Sequence, residues 1–306
     1  MKNTHSAPPW GNQTCAPPVC KGQGGIPIWW KQWINNWIDY PLGQGIVWGR
    51  TYRIEEFLGM GSYGQAYRCT DLRSGETVLL KRAKPSKRDT GRRLLRREAD
   101  ILQQLNHPQM PKRLDWVVHR REEALVMTYV EGVTAEQAAL LEERTFTQLE
   151  ALRIVEALLS PLKHMHEAGY VHRDVRIPNV VMNSKGIYLI DLGLACRIGE
   201  KNPDGREESV MPSGFADSWG AVKFRMRQPD RNSDLYGLGH LFLFLMYAGY
   251  TPQEGEKERS WEEELTLAPE IRGFVRGLLD SRWQTAAECE RVLGKILEHY
   301  SSGNNE

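Results

Sequence analysis

No apolar run in this chain approaches the roughly 20 residues that a membrane-spanning helix needs. The most apolar stretch, Leu241 to Ala248, is far shorter and reads as a buried helix. Charge is not in excess either. With 40 basic and 39 acidic residues the net charge is +1, which gives no global pull toward nucleic acid or an anionic membrane. Cysteine is scarce and odd in number, at five (Cys15, Cys20, Cys69, Cys196, Cys289). A disulfide framework is thereby disfavoured, and reduced thiols in a cytoplasmic protein are expected. Cys15 and Cys20 form one close pair, but no second pair completes a metal-binding set. Lys2 and the early prolines lead into no apolar core, so no signal peptide is expected. No internal repeat is visible.

What is present is a chain of 306 residues with 41% hydrophobic content, enough for one large domain or two lobes. Pro8-Pro9, Pro17-Pro18 and the glycines between 22 and 25 predict disorder at the start. Trp30, Trp33, Ile34, Trp37 and Ile38 then recur at one face of a short helix. That helix docks on the following domain, binds a partner or lies in a membrane interface. A single lysine, Lys31, gives little attraction to anionic lipid.

The chemistry is concentrated in Tyr170-Val171-His172-Arg173-Asp174-Val175-Arg176-Ile177-Pro178-Asn179. An acid, two guanidinium groups and an amide there match the needs of phosphoryl transfer. A carboxylate holds the attacking hydroxyl, cations meet phosphate charge, and oxygen donors ligate Mg²⁺. Upstream, Gly59-Met60-Gly61-Ser62-Tyr63-Gly64 connects two strand-like segments, and Thr77 to Lys81 reads as a further strand. A G-x-G-x-x-G loop between strands points away from a dinucleotide site, which needs a strand followed by a helix.

His172-Arg173-Asp174 with Asn179 five residues after the aspartate resembles the catalytic loop of the eukaryotic-type (Hanks-type) Ser/Thr protein kinases. The glycine loop, Lys81 and Asp191-Leu192-Gly193 resemble the other parts of that pattern, with Leu192 where the family has Phe. The resemblance spans about residues 46 to 298. It implies an α+β, bilobal fold with a β-rich N-lobe over 46–131 and a mainly helical C-lobe over 132–300. An N-terminal extension over 1–45 and a frayed tail over 301–306 flank the lobes.

The same resemblance implies a set of roles. Lys81, paired with Glu98 of a helix over Arg92 to Leu105, would fix the α- and β-phosphates of ATP. Leu58, Gly59, Gly61, Gly64, Ala66, Leu79, Met127, Tyr129 and Val181 would line the nucleotide site, with the backbone of 128–130 on the adenine and Glu131 near the ribose. Asp174 would take the acceptor hydroxyl's proton and Arg176 would face the γ-phosphate. Asn179 and Asp191 would hold Mg²⁺. Leu192 would pack with Leu102 and His172, and Asp234 would hold the catalytic-loop backbone.

Departures from the pattern are specific. Ala66 and Leu79 exchange the usual large and small residues of the adenine pocket, a swap that conserves volume. Arg176 stands where Ser/Thr kinases usually carry Lys, and the two are not interchangeable. No Ala-Pro-Glu ends the polar segment 197–230, which bears on substrate docking and on a switch in which Arg173 pairs with a phosphate on Ser209, Ser213 or Ser218. Arg282 sits where the family's Arg pairs with that absent Glu. A long helix from Phe146, with Leu149, Leu152, Ile154, Val155, Leu158, Leu159, Leu162 and Met165 inward, ends at Gly169. Two later helices follow, over 268–280 and 284–299, the second capped at Thr285.

The functional expectation is Mg·ATP-dependent phosphorylation of protein Ser/Thr hydroxyls, the chain itself included. The alternatives are a nucleotide-binding pseudokinase scaffold and a kinase-like small-molecule phosphotransferase.

Overall fold

The computed structural model describes residues 38–61, 63–201, 203, 219–250 and 259–302. The Trp-rich stretch before Ile38, the Cys15/Cys20 pair, the serines at 209, 213 and 218, and the tail from 303 lie outside the described residues. The chain divides into two units, Met1–Tyr40 and Pro41–Glu306. The strands and helices from Val47 onward all belong to the second unit.

Six strands form one antiparallel sheet: β1 (Val47–Trp48), β2 (Tyr52–Met60), β3 (Gly64–Asp71), β4 (Thr77–Ala83), β5 (Arg113–His119) and β6 (Glu122–Thr128), in the order β1-β2-β3-β4-β6-β5. Alternation along β4 and β6 assigns their two faces. Val78, Leu80, Ala124 and Val126 enter one core with Trp48, Tyr52, Ile54 and Tyr67. Leu79, Leu125 and Met127 enter the other, beneath helix α1 (Arg88–Gln104), with Leu95, Ala99 and Leu102. Lys81, two residues beyond Leu79, shares the helix-covered face. Helix α1 begins four residues before the expected Arg92, after a 3₁₀ turn at Pro85–Lys87.

The second part is helical: α2 (Ala135–Leu140), α3 (Gln148–Glu167), α4 (Trp219–Met226), α5 (Arg231–Tyr247), α6 (Trp261–Glu264), α7 (Pro269–Leu279) and α8 (Ala286–Ser302). The short strands β7 (Val133–Thr134), β8 (Tyr170–Val171), β9 (Val180–Asn183), β10 (Gly186–Leu189) and β11 (Cys196–Arg197) complete it. Helix α3 starts at Gln148, later than Phe146, because Thr147 and Glu150 form a reciprocal capping box. Phe146 is buried ahead of the helix, and Leu149, expected on the inner face, is 36% exposed. The other predicted inner positions of α3 are buried. Helix α5 is apolar on nearly every side and sits in the middle of this core, with α3, α4 and α7 against it. The final helices match expectation within two or three residues, and the Glu288 amide donates to Thr285 Oγ1 at 3.2 Å. Cys69, Cys196 and Cys289 are free and buried. Burial pushes the Cys196 thiol up to about 11. No helix among the described residues is long and apolar enough to cross a membrane.

Gly132 joins the two parts in a left-handed conformation (φ 149°), where a Cβ would lie 2.5 Å from the Met182 carbonyl oxygen. Only glycine allows β7 to approach β9 so closely. Pro161 inside α3 supplies no N–H to the Ala157 carbonyl. Gln109 makes good the loss: its Nε2 donates to Ala157 O at 3.0 Å and to Ile187 O at 2.9 Å.

Two predictions concern stability. Gln109→Ala should lower unfolding free energy by roughly 2 kcal/mol, because a lost side-chain donor leaves carbonyls unpaired beneath the helix; denaturant melts with an unchanged m-value would read it. His240 is pushed down from 6.5 to about 4, first by burial and then by the nearby Arg225 charge. A depressed folded value means that neutral His240 is compatible with the fold above the unfolded value, and that stability is lost as pH falls toward the folded one. The difference in stability between wild type and His240→Gln should therefore change between about pH 6.5 and 4 and level off below.

Candidate active site

The glycine loop connects β2 to β3, strand to strand as expected. Gly61 N–H donates to the Gly64 carbonyl at 2.9 Å, and the Lys84 amide donates to Tyr63 O at 2.8 Å. Cross-strand register then stacks Gly59 opposite Ala66, Ala66 opposite Lys81, and Leu79 opposite Met127. Opposed residues of antiparallel strands share a face, so these predicted nucleotide contacts lie together. Val181 is buried on β9 and comes from the helical part, while Leu58 on β2 is 41% exposed. Tyr129 follows β6 and is half-buried.

Lys81 is the hub. Its Nζ lies 2.7 Å from Glu98 Oε2 and 2.7 Å from Asp191 Oδ1. The Glu98 carboxylate is 2% exposed, so the pair is desolvated on the helix side. Burial alone would lower the lysine, but Asp191 and Glu98 outweigh it and hold the proton more tightly than usual. Burial likewise pushes Glu98 up against the pull of Lys81. Asp191 goes the other way: desolvation is overcome by the ammonium and the Gly193 amide, which hold it at about 2. Asp191 has φ 63°, a left-handed conformation that a non-glycine residue keeps only when its surroundings fix it. Gly193 is the reason that the cluster closes. A Cβ there would meet Asp191 Oδ1 at 3.0 Å and Lys81 Nζ at 3.2 Å. Leu192 is buried in the core with Leu102 as expected, and His172 Nε2 donates to the Ile190 carbonyl at 3.2 Å.

The catalytic loop is held from beneath. Asp234, on α5 and fully buried, accepts the amides of His172 (2.9 Å) and Arg173 (2.7 Å). His166 Nε2 lies 2.8 Å from the same carboxylate. Burial would raise Asp234, but His166, His172 and the His172 amide together hold it below the usual carboxylate range. Arg173 sits at φ 65° and donates to the carbonyls of Arg227 (2.6 Å) and Leu194 (3.0 Å). The guanidinium on which the sequence raises a phosphate switch is thus engaged with backbone.

Asp174 receives two neighbours. Arg176 Nε lies 2.6 Å from its Oδ1 and Nη2 donates to Oδ2 at 2.9 Å. Asn179 Nδ2 donates to the Asp174 carbonyl and to Oδ2, each at 2.9 Å. Burial would lower Arg176, yet the bonds and charge of Asp174, and then the charge of Asp191, raise it. Arg176 therefore links the field of Asp174 to that of the Lys81 cluster. Sequence reasoning missed His166 and Gly193 as supports. Nothing local marks the first, whereas the Asp-x-Gly spacing marks the second. Arg282 lies over the Trp283 ring, its guanidinium carbon 5.8 Å from the centroid.

A strand-flanked glycine loop, a lysine shared by two carboxylates and a clamped Asp/Asn loop on a helical base define a phosphotransferase of protein-kinase architecture. Residues 52–301 match the family model described as "Protein kinase domain", and the chain belongs to that family. It is 31% identical over 264 residues to "Probable serine/threonine-protein kinase YbdM" of Bacillus subtilis, covering 85% of this chain and 94% of that protein. Serine/threonine-protein kinase C of Synechocystis is 30% identical across 66% of this chain and 40% of its own length. The fold also matches the kinase domain of Mycobacterium tuberculosis PknI (C20A mutant), with TM-score 0.59 and 21% identity over 84% of this chain and 98% of that one.

Gly193→Ala tests the packing of the cluster. Displacing Lys81 and Asp191 by a few tenths of an ångström should cost roughly tenfold in kcat/KM for ATP, with an unchanged circular dichroism spectrum.

Proposed function

We propose that this chain is an active Ser/Thr protein kinase in which Asp174 orients the acceptor hydroxyl and accepts its proton, and Lys81 with Glu98 fixes the α- and β-phosphates of ATP. The observation that carries the reading is Lys81 within 2.7 Å of both Glu98 and Asp191, since that arrangement spends two carboxylates on holding one ammonium in place. Family membership supports ATP as donor and protein hydroxyls as acceptors, those of the chain itself included.

The donor set fits Mg²⁺. Lys81 and the Gly193 amide both use Oδ1 of Asp191. Among the described residues no hydrogen bond uses Oδ2, and none uses Oδ1 of Asn179, whose amide nitrogen faces Asp174. A carboxylate oxygen and an amide oxygen are hard donors, and Mg²⁺ characteristically takes few protein ligands and completes its shell with phosphate and water. When bound there, Mg²⁺ would neutralise phosphate charge. Gly59, Gly61 and Gly64 would let backbone amides come close to the phosphates, with Leu58, Ala66, Leu79, Met127, Tyr129 and Val181 around the base. Arg176 would meet the γ-phosphate from its position on Asp174. Its fork gives it two contacts where a lysine would offer a point charge.

The test is transfer of labelled γ-phosphate from ATP to generic protein substrates and to the chain itself, in wild type and Asp174→Asn. The variant should lose between about 10²- and 10⁴-fold in kcat while still binding nucleotide, as expected for a residue that handles the proton. Binding of ATP with no turnover that depends on Asp174 would instead make the chain a scaffold.

A further inference from the structure

Helix α1 is gripped on two sides. Glu98 faces inward to Lys81, and its neighbour Arg97 points to the segment that follows β11. Arg97 Nη2 lies 3.1 Å from Glu200 Oε2, and Nη1 donates to the Pro203 carbonyl at 2.5 Å. Glu200 is itself oriented, because the Arg197 amide donates to its Oε2 at 3.0 Å. Successive helical residues project about 100° apart. A helix held along one line can roll, whereas one held at two such positions cannot. The roll is the motion that would carry Glu98 away from Lys81.

The contact lies at the rim of a cavity of about 880 Å³ on the outer side of α1, lined by Arg92, Arg93, Arg96, Arg97, Arg197 and Tyr170 among others. Arg96 is paired with Glu123, and Arg92 is 3.7 Å from Asp89. Its five arginines outnumber the carboxylates of Asp89 and Asp100 in the same lining, and Glu200 is a further carboxylate of this chain already seated against them. Arg173, meanwhile, donates to the backbone carbonyls of Leu194 and Arg227.

We infer that Glu200 is a positioning residue: its carboxylate pins Arg97, fixes the rotation of α1 and keeps Glu98 on Lys81, so that turnover needs no covalent phosphate in the segment after β11. The inference rests on the kinase reading. It predicts that phosphatase-treated enzyme and the variant S209A/S213A/S218A keep wild-type rates. Glu200→Gln and Arg97→Ala should each lower kcat/KM for ATP about fivefold, the size expected for a partly exposed ion pair. Glu200→Asp should recover part of the loss if its carboxylate still reaches Arg97.

Affinity for Mg·ADP by calorimetry gives a second readout that needs no turnover, and it should fall by the same factor in Glu200→Gln. Loss of wild-type activity on phosphatase treatment, or Glu200→Gln with unaltered KM, kcat and Mg·ADP affinity, overturns the inference and leaves the kinase reading intact. A wild type that binds Mg·ADP but never turns over fails the kinase reading. In that case the affinity of Glu200→Gln alone decides whether Glu200 positions α1.

Discussion

One ammonium group shared by two carboxylates organises the structure. Lys81 reaches Glu98 across 17 residues of sequence and Asp191 across 110. It thereby ties the central strand of the sheet, the helix that covers it and the loop below β10 to a single point. Remove the ammonium and two carboxylates remain close together, one of them, Glu98, buried without a counter-charge, which is the costly arrangement. With the ammonium in place, the cluster still carries more negative than positive groups. Such a site accepts a cation more readily than another anion, so a phosphate would approach it most easily with a divalent ion attached.

The second constraint is geometric. Two of the non-glycine residues at positive φ, Arg173 and Asp191, sit at φ 65° and 63°, the first beside Asp174 and the second bonded to Lys81. Conformations of this kind cost about 1–3 kcal/mol and persist only where several contacts agree on them. Asp234 provides that agreement for the catalytic loop, and Lys81 with the Gly193 amide provides it for Asp191. The buried carboxylate of Asp234 is satisfied by two amides and an imidazole, so a charge deep in the helical core becomes an anchor for backbone.

The residues proposed to handle phosphate are legible in the sequence because that chemistry requires particular residue types at fixed spacings. Asp174 and Asn179, or Asp191 and Gly193, can be found without knowing how the chain turns. The inner faces of α1 and α3 are legible through helical periodicity, as at Leu94, Leu95, Ala99 and Leu102. The start of α3 is harder to read although Thr147 and Glu150 spell out its cap, because the apolar pattern of Phe146 and Leu149 competes with it. Gln109 beneath Pro161 and Glu200 against Arg97 leave no trace, since their partners lie 48 and 103 residues away. Hydrogen bonds between distant segments depend on packing that no local pattern encodes.

Arg176 shows how a departure from pattern acquires a physical meaning only in three dimensions. In sequence it is an arginine where a lysine is usual. In the structure its fork lies along both oxygens of Asp174, while Asn179 approaches one of them. A carboxylate offers about four lone-pair positions, so these contacts orient the group and still leave room for an incoming hydroxyl. A lysine ammonium would bring charge without a plane and would fix the carboxylate less completely. Under the proposed roles, arginine at this place would couple two requirements that a point charge would leave separate: the direction in which Asp174 accepts a proton, and the side from which positive charge meets the phosphoryl group.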